Sequence, residues 1–127
     1  MFKCSKCLQL KSAHSFAKNK ARKSGRHTEC KDCQVQYNRI WFMRYHYGLP
    51  EDQACAYINK IKVEAFCEIC SEQLQLKRNG YAIDHNHNTG KVRGLLCTSC
   101  NQGLGRFKDD LYLLTKAHKY LEKYGTV

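Results

Sequence analysis

The spacing of apolar residues changes along the chain, and each change predicts an element. From about Gln34 to Tyr47, aromatic side chains recur every four positions, at Tyr37, Trp41 and Tyr45. That period puts them on one helix face, beside Asn38 and Phe42. The stripe is expected to pack into a core rather than stack on nucleic-acid bases. Gly48-Leu49-Pro50 ends this helix. A second helix starts at Glu51 and runs to about Lys62 or Phe66, with Ala54, Tyr57, Ile58 and Ile61 facing inward. The pattern then shortens. Tyr81 to His85 predicts a strand, Asn88-Thr89-Gly90 a turn, and Lys91 to Leu96 the return strand. A helix begins near Asn101, which Gly103 and Gly105 are expected to shorten or break. Asp109 or Asp110 caps a last helix, whose apolar face is Leu111, Leu114, Ala117, Leu121 and Tyr124 and which Gly125 ends.

Residues 1–36 carry little apolar material beyond Phe16, with a turn at Ser24-Gly25-Arg26. Such a stretch needs a staple to fold. Eight of the nine cysteines supply candidates, as four Cys-x-x-Cys pairs: Cys4/Cys7, Cys30/Cys33, Cys67/Cys70 and Cys97/Cys100. Two residues of spacing let both thiolates reach one ion, so the pairs predict two structural zinc sites. Structural zinc contributes about 10–16 kcal/mol in small peptides, enough to fold a core-poor module. Cys55 stands alone and is read as a small buried apolar residue. Apart from the cysteine pattern the chain shows no internal repeat. The regular pairs, and the lack of an apolar stretch after Met1, predict a reducing, cytoplasmic compartment over a disulfide-bonded secreted one. No segment is long and apolar enough to span a bilayer.

Charge adds a partner. The net charge is +11, and residues 1–31 hold nine basic side chains against one acidic, Glu29. Such a field attracts a polyanion. With no basic amphipathic helix carrying an apolar anchor, DNA is favoured over a membrane. Lys20, Arg22, Lys23 and Arg26, then Arg39 and Arg44, then Lys91 and Arg93, are the candidate phosphate contacts.

Between the last two cysteine pairs lies Asp84-His85-Asn86-His87, and Asn101 follows Cys100 directly. Four thiolates complete a tetrahedral zinc site, which leaves both histidines available for chemistry. Asp84 and Asn101 offer the oxygen that magnesium or manganese prefers. His85 is a candidate general base. His87, two residues on, projects from the same side of an ideal strand and is a candidate to bind phosphate or tune the site. Plainer roles stay open: histidines as zinc ligands, Asp84 orienting a ligand, Asn101 as a helix cap. A zinc-containing DNA-binding protein without activity is the corresponding alternative.

Here a resemblance enters. Tyr47-Gly48-Leu49, Cys67-x-x-Cys70, the run from Ile83 through Arg93-Gly94-Leu95-Leu96 to Cys97-x-x-Cys100-Asn101, Leu104-Gly105 and Ala117-x-x-Tyr120-Leu121 resemble the phage recombination endonuclease VII family. The resemblance covers about 45–124. It implies an HNH nuclease of the ββα-metal fold that cleaves DNA with magnesium, leaving 5′-phosphate and 3′-hydroxyl ends. It also implies Asp84 and Asn101 as ligands of the catalytic metal, His85 as base, and Cys67, Cys70, Cys97 and Cys100 as zinc ligands. Leu104 stands where the best-known junction-resolving member carries an acid. That member also has a longer dimer-building region, and the amino-terminal cysteine module is an addition to it.

The resulting expectation is a small zinc-stabilised α+β chain. It comprises a basic Cys4 module at 1–36, a helical connector at 37–66, and an HNH nuclease module with a carboxy-terminal helix at 67–127. The expected partner is branched or duplex DNA, inside a bacterial host if the chain is phage-encoded. Symmetric two-strand cutting would favour a homodimer, whereas nicking needs one active site.

Overall fold

The computed structural model describes residues 1–125. Two compact units divide it, Met1–Cys55 and the chain from Ala56 onward. In chain order the elements are β1 (Phe2–Lys3), β2 (Leu10–Lys11), a 3-10 turn (Ala13–Ser15), α1 (Lys31–Tyr47), α2 (Glu51–Val63), β3 (Ala82–His85), β4 (Val92–Leu96), α3 (Thr98–Arg106) and α4 (Leu111–Lys123).

In the first unit β1 pairs antiparallel with β2, Phe2 facing Lys11. Phe16, Cys4 and Cys30 are fully buried together, and Cys7 and Cys33 pack on them. The Phe2 ring meets Phe16 edge-on, with centroids 5.9 Å apart. The core of this unit's amino-terminal half is therefore sulfur around one aromatic ring, as the composition required. Helix α1 begins at Lys31 rather than near Gln34, because Cys30 takes the N-cap position (φ −71°, ψ 160°) and carries Cys33 into the first turn. Gly48 stops it in the left-handed region (φ 64°), its N–H donating to the Arg44 carbonyl.

The aromatic stripe of α1 is not core. Tyr37, Trp41 and Tyr45 are 58%, 51% and 72% exposed, and Met43 is the buried residue of the helix. Lysine, glutamine and arginine punctuate every face of α1, so no continuous apolar stripe forms. The rings shield one another instead, Trp41 and Tyr45 stacking at 4.9 Å and 7°.

In the second unit β3 and β4 form an antiparallel hairpin, and α3 packs on β3. Gly103 and Gly105 do not break α3, which runs unbroken from Thr98 to Arg106. Its start is held by Cys97, whose sulfur accepts the Cys100 N–H at 3.3 Å. Asp110, not Asp109, caps α4, its Oδ1 accepting the N–H groups of Tyr112 and Leu113 at 2.8 and 3.1 Å. The apolar face expected of α4 is only partly covered. Leu114 and Ala117 are half-buried, but Leu111, Leu121 and Tyr124 are exposed.

The duplication goes deeper than cysteine spacing. In the first module Cys4 N–H donates to Gln9 O, Leu8 N–H to Cys4 O and Ser5 N–H to Thr28 O, all at 2.9 Å. In the second, Cys67 N–H donates to Glu72 O (2.8 Å), Ser71 N–H to Cys67 O (2.9 Å) and Glu68 N–H to Leu95 O (3.1 Å). Leu8 and Ser71 share the left-handed conformation, at φ 61° and 65°. Cys30 and Cys97 cap their helices with φ and ψ within 1° of each other. Gln34 N–H bonds Cys30 O as Asn101 N–H bonds Cys97 O, so Gln34 holds the place of Asn101. These are two copies of one build, and only the second contains an Asp-His pair.

Glu68 ties the second knuckle to the hairpin. Its carboxylate accepts the Leu95 N–H at 2.7 Å, next to the Leu95 carbonyl that binds Glu68 N–H. The carboxylate lies where a Cβ on Gly94 would stand. Gly94→Ala is expected to displace Glu68 and break this bond, costing about 1–3 kcal/mol. Glu68→Ala should cost much the same, and the double variant little more than either, read from urea midpoints of zinc-loaded protein.

Candidate active site and metal centres

Each cysteine quartet gathers its sulfurs within 4.8 Å of one another: Cys4, Cys7, Cys30 and Cys33 in one, Cys67, Cys70, Cys97 and Cys100 in the other. A tetrahedral zinc with Zn–S near 2.3 Å sets its sulfurs about 3.8 Å apart. The Sγ separations are 3.9 Å for Cys4–Cys33, 4.0 Å for Cys7–Cys30 and 3.7 Å for Cys70–Cys97. Both quartets thus fit zinc in donor type and spacing. Burial pushes the Cys4 thiol up, but backbone N–H groups of Cys7, Cys30 and Lys6 overcome it and bring the pKa down to about 6. Cys67 is brought to about 6 in the same way, by the N–H groups of Cys70, Cys97 and Ile69 against burial. Cys33 is pushed up to about 12 by burial and by its neighbouring sulfurs, and Cys100 to about 12 by Cys97 first and then burial. Neighbouring thiols that split this way share protons that a cation would replace. In the first quartet Lys11 Nζ adds charge compensation, 3.4 Å from Cys30 Sγ and 2.9 Å from Asp32 Oδ2.

The hairpin carries the candidate chemistry. Ile83 and Asp84 are buried in β3, and Asp84 is the buried carboxylate among the described residues. Asp84 pairs with Gly94 and His85 with Val92, so Arg93 is the extra residue of a β-bulge. The bulge brings Arg93 onto the Asp84 carboxylate. Its Nε donates to Oδ2 at 2.6 Å and its Nη2 to Oδ1 at 2.9 Å, a two-pronged contact. The bond to Asp84, ahead of the desolvation that opposes it, raises the Arg93 pKa. β3 ends at His85, where Asn86 builds the turn: its Oδ1 accepts Asn88 N–H at 2.8 Å and Thr89 N–H at 3.1 Å, and Gly90 turns at φ 74°. This turn brings the His87 ring to 4.7 Å from that of His85. Asn101 lies in the first turn of α3, the helix packed on β3.

Asp109 was read from sequence only as a possible cap. With Asp110 in that role, Asp109 joins the site, its Oδ2 3.4 Å from Arg93 Nη2 and 3.7 Å from His87 Nε2. The end of α3 puts it there. Lys108 N–H bonds Gly105 O and Asp109 N–H bonds Leu104 O, both at 2.9 Å, with Lys108 and Asp109 left-handed at φ 58° and 52°. That is a Schellman turn with lysine, not glycine, at its left-handed position. The doublet Asp109-Asp110 was its sequence signal, since one cap needs one carboxylate.

The remaining basic candidates divide between the units. Lys20, Arg22 and Lys23 are exposed on the turn closed by Asn19 N–H to Gly25 O at 2.9 Å. Arg26 is half-buried and donates to the Phe16 carbonyl at 3.2 Å. Arg44 pairs with Glu51 at 3.3 Å, and Arg39 is half-buried. Lys91 is exposed beside the hairpin turn.

A β-hairpin and a following helix, joined through a Cys4 metal site, with Asp-His at the hairpin's end and Asn on the helix, define a ββα-metal nuclease core. Residues 41–123 match recombination endonuclease VII, and the chain belongs to that family. It is similar to the Gene 59 proteins of Mycobacterium phages D29 and L5, at 47% identity over 58 residues and 43% over 56. These matches span 45% and 43% of this chain but 34% of each relative. Among solved structures it is similar to the beta-beta-alpha-Me type II restriction endonuclease Hpy99I, at 27% identity and a TM-score of 0.46, covering 96% of this chain and 65% of that one. No helix among the described residues is long and apolar enough to cross a membrane.

Elemental analysis of protein purified without chelator is expected to give two zinc ions per chain. Cys4→Ser and Cys67→Ser should each lower that to one, and the unaltered quartet should keep its ion.

Proposed function

We propose that this chain is a DNA endonuclease that hydrolyses phosphodiester bonds, with two zinc ions holding its scaffold and a divalent cation, magnesium or manganese, at its catalytic centre. The observation that carries this reading is the buried carboxylate of Asp84, fixed next to His85 at the end of a hairpin that a cysteine quartet anchors. Asp84 and Asn101 would hold the catalytic cation, since carboxylate and carboxamide oxygens suit a hard ion. When bound, the cation supplies charge stabilisation to the phosphate and the leaving oxygen.

His85, as a neutral imidazole, takes a proton from water, and that water attacks phosphorus in line with the leaving 3′ oxygen. His85 is the last residue of β3, directly before the Asn86 turn. His87 and Arg93 bind the phosphate oxygens of the scissile and neighbouring groups. The exposed lysines and arginines of the first unit hold the duplex through backbone charge, which favours capture without reading sequence. The first module, whose build lacks an Asp-His pair, is a docking copy rather than a second active site. With phage-encoded relatives, the protein would act on DNA within a bacterial host cell.

Nicking of supercoiled plasmid with magnesium is the test. The parent should open the circle, and Asp84→Ala and His85→Ala should be slower by at least about 10²-fold while binding DNA as before. Parental cutting by both variants would reject the site. DNA binding by a parent that cuts nothing in magnesium or manganese would favour a non-enzymatic zinc protein.

A further inference from the structure

Both oxygens of Asp84 are engaged by Arg93, at 2.6 and 2.9 Å. Each oxygen keeps a second lone pair, but the guanidinium neutralises the carboxylate and its positive charge repels a cation there until it moves. Arg93 is 37% exposed and Asp84 only 8%, so the arginine is the partner with room to swing away. Left without a second acceptor, Arg93 would return to Asp84 and compete with any cation there. A second acceptor is already in place: Asp109 Oδ2, 3.4 Å from Arg93 Nη2, 19% exposed and held on the hydrogen-bonded turn that ends α3.

We propose that Asp109 is a positioning residue that draws the Arg93 guanidinium off Asp84, freeing that carboxylate for the divalent cation and keeping Arg93 at the rim of the site. The inference rests on the nuclease reading above and concerns how its metal site is made available. Three groups share one network: Asp84 needs its negative charge for the cation, Arg93 neutralises it at rest, and Asp109 is the alternative anion. Asp109 Oδ2 also lies 3.7 Å from His87 Nε2. Its left-handed backbone, φ 52°, suits asparagine as well as aspartate. Asp109→Asn therefore removes the charge while leaving the turn intact.

The experiment is Mn2+ binding to zinc-loaded, DNA-free protein, followed by electron paramagnetic resonance, with Asp84→Ala defining the site. Asp109→Asn is expected to weaken binding about five- to tenfold, the scale of one charge-assisted contact to arginine. Arg93→Ala should tighten it, because nothing then covers Asp84. In the Arg93→Ala background, Asp109→Asn should change binding no more than about twofold. Asp109→Glu, which keeps the acceptor, should restore most of the affinity. Parental affinity in Asp109→Asn would overturn the proposal. So would an equal loss with and without Arg93, which would make Asp109 a direct ligand or a general electrostatic contributor. A parent that binds no Mn2+ dependent on Asp84 would instead reject the nuclease reading on which the inference stands.

Discussion

The convergence of four sulfurs within 4.8 Å is the constraint from which the geometry of the candidate site follows. In the second unit the quartet joins a knuckle before the hairpin to the first turn of the helix after it. Cys97 directly follows β4, caps α3 and belongs to the quartet. Whatever fixes its sulfur fixes the strand that carries Arg93 and the helix that carries Asn101. Glu68 repeats the linkage in hydrogen bonds, gripping Leu95 through its side chain and backbone. A chain with so few buried aliphatic residues cannot hold two strands and a helix in register by apolar packing alone. Its rigidity is concentrated at sulfur, and the reactive groups lie one or two residues from it or across one strand pair.

The first unit shows what that scaffold does without the chemistry. The same knuckle, the same helix cap and the same cross-bond recur there, around Phe16 instead of a longer hairpin. Gln34 replaces Asn101, and basic side chains crowd the connection. One copy thus keeps its structure and gathers positive charge, while the other places a carboxylate and two imidazoles at the end of a strand.

Electrostatics organise the second copy. A carboxylate as buried as Asp84 needs a partner, and the β-bulge provides one by turning Arg93 toward it. The left-handed residues ending α3 deliver Asp109 to the same arginine. Backbone irregularities at two places, a bulge and a Schellman turn, therefore build the charge network of the site.

Much of this was legible before any coordinates. Cysteine pairs at two-residue spacing specify tetrahedral thiolate sites through covalent reach alone, and Asp-His-Asn-His before Cys-x-x-Cys-Asn specifies which side chains lie near them. The hairpin, the stop of α1 at Gly48 and an aspartate cap for α4 followed from local turn and capping chemistry. What sequence could not decide depended on burial and on backbone detail. The spacing of Tyr37, Trp41 and Tyr45 gives a shared face but not what covers it, and the rings are exposed. Nothing in Val92-Arg93-Gly94 marks Arg93 as the bulged residue, because a bulge arises from the register of two strands together. Asp109 and Asp110 are chemically identical as sequence. Only the direction in which α3 ends sends one to cap a helix and the other to Arg93 and His87, since a change of backbone φ by one residue turns a side chain to a different neighbour.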